Sequence, residues 1–284
     1  MRLFKFKPSK KEYTYAMLPH TRKEVFFDVL KLQWKSLLLL GFVLLAFSLP
    51  MQIARVIKQL YTAILFDKID PTNEQQYVAA LNQAKMLSSG IAFGNVPLLI
   101  VFSVGFAGIS RAIRQYAYEE CVHFTFDFSV GVKQNVKQMA LLAAASSLMY
   151  AVSAFMYGLR TEAEGAFVFV SIMPIASFWV VFAPIFAIMT VLIPVYDNSF
   201  RKNFKIATYV YVKNAPKILL ACVCSALIFL PSLIPNFLLG TIGNMLAVVL
   251  VPISMLGFYL YLFDVLDEYV NKENYPEIVG KGTF

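Results

Sequence analysis

Few residues of this 284-residue chain are equipped for covalent or acid–base chemistry. Its imidazoles and thiols are His20, His123, Cys121, Cys222 and Cys224. Hydrolysis would need a nucleophile beside a base, or several such side chains around a metal. Cys222 and Cys224 lie two apart in an apolar run, so on a helix they point to nearly opposite faces and form no metal pair or disulfide. Cys121 falls in a polar segment expected on the cytoplasmic side, where thiols stay reduced. His123 stands in an aromatic stretch and reads as a solvated or satisfied side chain. No HExxH, GxSxG or P-loop pattern occurs. The chain is therefore expected not to be an enzyme, with no catalytic, cofactor-binding or metal-binding residues and no cofactor.

A second group of residues has spacing with physical meaning. Cations stand four apart at Lys31 and Lys35, Lys133 and Lys137, Arg201 and Lys205, and Lys213 and Lys217. Each pair shares one helix face. Apolar residues take the other side: Phe26, Phe27, Leu30 and Trp34 in the first segment, Phe200, Phe204 and Tyr211 in the last. Asp28, Asp127 and Asp197 precede the cations, which suits a helix N-terminus. Such helices lie among lipid headgroups with the apolar face down, and lysine stems snorkel to keep their charge in water. The pattern predicts three amphipathic elbows, each bending upward into a membrane span.

The spans themselves are written in the charge distribution. Residues are 59% hydrophobic and 15% charged, too few charges to cover a soluble globule, which carries about 25%. Uncharged runs of 18 or more residues lie between Lys35 and Arg55, Lys85 and Arg111, Lys137 and Arg160, and Glu164 and Asp197. Lys217 to Asp264 encloses 46 more, room for two crossings of a core about 30 Å thick. The predicted fold is an all-α polytopic membrane bundle of six helices in three hairpins. Its spans are about 36–53, 87–110, 138–158, 166–194, 218–235 and 245–263, within a membrane domain of 25–270. A basic arm, 1–24, precedes it and a polar tail, 271–284, follows. Leu60 to Phe66 reads as an interfacial continuation of the first span, and 67–76 as a polar outer loop.

Of the 25 lysines and arginines, 20 fall in 1–35, 111–137, 195–217 and 264–284, and 5 in the intervening loops. Cations near span ends stay on the cytoplasmic side, so both termini are expected there in a cell membrane. The net charge of +8 thus reports topology, and no nucleic-acid recognition motif accompanies it. The first apolar run begins only at Ser36, after a basic segment and without a small-residue cleavage site, so no signal peptide is expected. Gly90 and Gly94, Gly105 and Gly108, and the row Ala143, Ser147 and Ala151 have the spacing of close helix packing, with a ligand path as the alternative. Asn95, Ser146, Ser171, Thr190 and Asn236 read as groups for hydrogen bonds between helices. The fourth span is overlong and holds Pro174 and Pro184, which implies tilt, a kink or a broken helix lining a cavity. No predicted span contains Asp, Glu, Lys, Arg or His, which argues against proton coupling.

Several motifs resemble the YesL-like family of bacterial membrane proteins over about 25–270. They are Phe47-Ser48-Leu49-Pro50, Gly108 with Arg111 through Arg114 and Glu120 into Phe126-Asp127-Phe128, Lys133-Gln134-Asn135 and Lys137-Gln138. Pro194-Val195-Tyr196-Asp197-Asn198-Ser199-Phe200 and Lys213-Asn214-Ala215-Pro216-Lys217 are similar to that family's fourth-span exit and following elbow. Met51-Gln52-Ile53-Ala54 departs from its Thr-x-Gly-Pro turn. The family is a domain of unknown function. The resemblance implies a Gram-positive cell membrane and the company of carbohydrate ABC uptake systems, and it carries no functional residues with it. The expected role is an accessory or regulatory component of oligosaccharide uptake, with a permease-like subunit or a sensor or scaffold as alternatives. The ABC alternative lacks an EAA-type coupling loop in 111–137 or 195–217. Expected partners are the lipid bilayer, permease and ATPase subunits, or further copies of the chain.

Overall fold

The computed structural model describes residues 18–68, 73–159, 166–234 and 236–283. Among them, six helical stretches are long and apolar enough to cross a bilayer, and no strand forms. The elements are α1 (Arg22–Asp67), α2 (Glu74–Ala117), α3 (Phe124–Gly158), α4 (Ala166–Ser177), α5 (Ala183–Val195), α6 (Phe200–Ala226) and α7 (Phe237–Leu266). A π turn, Phe178–Phe182, joins α4 to α5 in the fourth span, and a 3-10 turn, Leu227–Leu233, extends α6 in the fifth. The chain is an all-α, multi-pass membrane protein.

Helix starts follow from short polar side chains. Thr21 Oγ1 accepts the Glu24 amide at 3.2 Å and Asn73 Oδ1 accepts that of Gln76 at 3.2 Å. Ser199 Oγ takes the Lys202 amide and Asn236 Oδ1 that of Leu239. Each satisfies one of the donors that a helix N-terminus leaves orphaned.

Packing divides the spans sharply. The fourth and sixth are each 56% buried over their most apolar window, whereas the fifth is 6% buried. The fourth and sixth therefore form the centre, with Ile188, Met189 and Leu192 of α5 against Leu256, Tyr259 and Leu260 of α7 in one apolar cluster. α1 joins this centre through Leu37, Leu40 and Leu44. At Gly41 the α1 backbone crosses α7 so closely that an added Cβ would run into the Val249 carbonyl. Gly105 meets the Phe47 ring and Gly108 the Phe128 ring in the same manner.

Several expectations are corrected by these elements. Gly90 and Gly94 have nothing within 4 Å of an added Cβ, so that glycine pair is no helix contact; spacing alone does not say which face meets a neighbour. In contrast, Ser147 and Ala151 are buried, and Ala143 accepts the Ser147 hydroxyl at 2.6 Å. The first two elbows do not bend: α1 and α3 run unbroken from their basic segments into the apolar run. Neither has a proline near its junction, and sharp kinks need such a cause. The third elbow does bend, at Asn214 (φ −133, ψ 27), two residues before Pro216. The stretch 60–66 does continue the first span, as the end of α1. At 46 residues α1 is about 70 Å long, over twice the bilayer core, so both its ends pass beyond that core. Most of the basic arm, residues 1–17, lies outside the described residues, as do residues 160–165.

Candidate functional site

Two regions hold what functional chemistry this bundle offers. The first is the end where α1 begins and α7 finishes. Asp267, in a π turn after α7, accepts from Arg22 Nη2 at 3.1 Å, Asn271 Nδ2 at 2.6 Å and the Gly280 amide at 3.0 Å. Arg22 is 7% exposed, bonds the Lys281 carbonyl and lies 5.6 Å from the Phe263 ring. The tail therefore folds back. Lys281 Nζ pairs with Glu120 at 2.7 Å and sits 4.7 Å from the Tyr118 ring. Gly282, at φ +90, lies against the Ala117 carbonyl, where a Cβ would not fit. Burial pushes the Tyr118 hydroxyl up to about 12 and the Tyr196 hydroxyl well above its ordinary range. Both remain neutral, and Tyr196 donates to Asn271 Oδ1 at 2.5 Å.

A neighbouring cluster centres on Asp127, 3% exposed at the start of α3. Its carboxylate accepts Gln115 Nε2 at 2.9 Å and reaches back to the His123 amide at 2.7 Å, with Arg111 at 3.6 Å. Arg111 also donates to Gln134 at 2.7 Å, Arg114 to the Pro194 carbonyl at 2.8 Å and Gln138 to the Asn198 carbonyl at 2.7 Å. The motif residues spread over 108–138 and 194–200 thus converge on one end of the bundle. The turn that delivers Glu120 is a Schellman motif: the Glu120 amide bonds Gln115 O and the Glu119 amide bonds Tyr116 O. Glu119 occupies the left-handed position usually given to glycine, at φ 55. Burial, and then the Asp28 carboxylate, push its carboxyl up from the ordinary value.

The second region lies within the spans. Proline lacks the N–H that would bond the carbonyl four residues back. Pro184 frees Val180 O and Pro194 frees Thr190 O. Tyr211 of α6 donates to Val180 O, and Tyr259 of α7 donates to Thr190 O at 2.7 Å. Helices neighbouring a proline commonly satisfy freed backbone groups in this way. The fourth span accordingly passes through a π turn and stays helical. Beside that turn is a cavity of about 490 Å³ walled by α5, α6 and α7. Its polar groups turn back on the protein: Thr190 Oγ1 bonds Ala187 O at 2.7 Å and Ser254 Oγ bonds Ser225 O at 3.0 Å.

The eight cations singled out by spacing, Lys31, Lys35, Lys133, Lys137, Arg201, Lys205, Lys213 and Lys217, are all exposed. Among the described residues none of the eight forms an ion pair, and they are spread over three helices. The cations that do pair, Arg22, Arg111 and Lys281, were not singled out for pairing. Their partners lie 16 to 245 residues away along the chain, so no local spacing points to them. Ser146, Ser171 and Thr190 bond carbonyls of their own helices, contrary to the interhelical role expected. Asn236 is a helix cap. Among the described residues, polar links between helices instead include the two tyrosines, Ser254 Oγ to Ser225 O at 3.0 Å and Asn244 Nδ2 to Gln52 Oε1 at 2.5 Å. Cys222 lines the cavity and Cys224 is exposed. Among the described residues no group of three His, Cys, Asp or Glu side chains is gathered as a metal site requires. No known family, curated protein or solved structure matches the chain.

Proposed function

We propose that this protein is a non-enzymatic accessory component of an ABC-type oligosaccharide uptake system in a Gram-positive cell membrane, with both termini in the cytoplasm. The sugar and the company come from the YesL-like resemblance, and the orientation from the distribution of lysine and arginine. One observation favours an assisting role over a sugar path. The cavity among the central spans is apolar, and its Thr190, Ser254 and Tyr259 hydroxyls already bond backbone carbonyls. An oligosaccharide there would leave its own hydroxyls unpaired, at about 1–3 kcal/mol for each. The exposed cations of α1, α3 and α6 offer a basic face for partner subunits instead.

Copurification from the native membrane tests this reading. A permease and an ATPase recovered with the tagged chain would support it. Oligosaccharide uptake by the purified protein alone in liposomes would replace it with the permease-like alternative. Labelling of a single cysteine placed at Arg201 from outside the cell would overturn the orientation.

A further inference from the structure

The cavity beside the π turn has a built shape. Small side chains leave its space open: Ala183 and Ala187 on α5, Ala226 on α6. Tyr211 and Tyr259 fix the walls by bonding the two proline-freed carbonyls. Its lining on the fourth span runs from Trp179 to Thr190. At 1.5 Å per residue that is about 16 Å, close to half of the roughly 30 Å hydrocarbon core. No charged side chain lines it, and Trp179 and Val223 at its edge are 59% and 58% exposed. The opening is therefore continuous with the surface that the bundle presents to lipid. A polar guest would be desolvated without partners, whereas apolar cavities stay dry and take apolar guests.

We propose that this cavity is a lipid site that takes one hydrocarbon chain of a membrane lipid between α5, α6 and α7. Length, lining and continuity with the lipid-facing surface all select that occupant. The site stands independently of any part in sugar uptake. The chain would fill the cavity beside the π turn, so that the fifth span, the least buried of the six, packs against lipid on both faces.

The test uses the full chain in phosphatidylcholine vesicles doped with a phosphatidylcholine bearing a mid-chain diazirine, with adducts mapped by residue. Leu219, Cys222 and Ala226 face the cavity, while Leu220 of α6 and Leu227 of the following 3-10 turn are exposed outside its lining. Both sets should be labelled in the native chain. Ala226→Phe and Ala187→Phe should each lower labelling of the cavity set about fivefold, the equivalent of about 1 kcal/mol, and leave the outer set unchanged. Labelling of the outer set alone in the native chain would overturn the proposal, and that comparison needs no variant to fold. Cavity labelling indifferent to both fillings would overturn it as well.

Discussion

At the end of the bundle where α1 starts, Asp267 gathers a guanidinium, an amide side chain and a backbone amide from three separate stretches of chain. Around Thr190 and Ser254, within the spans, both hydroxyls bond carbonyls and the remaining wall is largely apolar. The first region ties distant segments together with charge. The second keeps polarity confined to the backbone and leaves a hollow. The contrast teaches where this sequence tolerates charge: among the described residues, the buried ions Arg22 and Asp127 each meet several partners, since an unpartnered buried charge costs more than a bundle can offset.

The largest expected effect is at the charged end. Asp267→Ala leaves Arg22 buried without its partner and should lower stability by about 3–5 kcal/mol. Asp264, 65% exposed and 3.4 Å from the same arginine, should matter by under about 1 kcal/mol when changed to Ala. Thermal unfolding in detergent reads both, and equal losses would break the distinction. Gly41→Val next drives a side chain into the Val249 backbone, with an expected loss of about 3 kcal/mol and poorly dispersed protein on size exclusion.

Within the spans the effects are smaller. Tyr211→Phe removes the donor to Val180 O and should cost about 1 kcal/mol. Adding Pro184→Ala restores that carbonyl's own helical donor, so the double variant should recover most of the loss; a purely additive cycle would show that the tyrosine does not act through this bond. Glu119 separates two small terms. Glu119→Gly relieves the left-handed backbone and should gain about 1 kcal/mol. Glu119→Gln addresses charge alone. The native carboxyl sits above its ordinary value of 4.5, so the native state binds that proton more tightly than the unfolded chain does. The group's contribution to stability is full at acid pH and lost as pH rises through the raised value. The variant should therefore match the native chain in acid and exceed it at neutral pH, as thermal scans across pH would show. Smallest of all, Gly90→Ala meets open space and should be neutral or stabilising by about 0.5 kcal/mol, whereas Gly108→Ala meets the Phe128 ring and should not be.

The crossings were legible because bilayer thickness acts on sequence directly: runs free of charge have to be long enough, and theirs are. The irregularity of the fourth span was legible through Pro174 and Pro184, and its π turn ends two residues before Pro184. The straightness of α1 past Lys31 and Lys35 was less so, because an amphipathic segment is equally consistent with lying on a surface or extending a span. Gly90 and Gly94 carried a packing signal that the fold leaves idle, while Gly41, with no such spacing, makes the tightest crossing.

The sequence by itself determined six apolar helices and the concentration of cations toward one set of loops, since these depend on neighbours a few residues apart. Only the tertiary structure decided that the tail locks onto Arg22 and Glu120, which tyrosine satisfies which proline-freed carbonyl, and where space is left unfilled. Those outcomes join residues tens to hundreds of positions apart, and their energies exist only once the helices have chosen their faces.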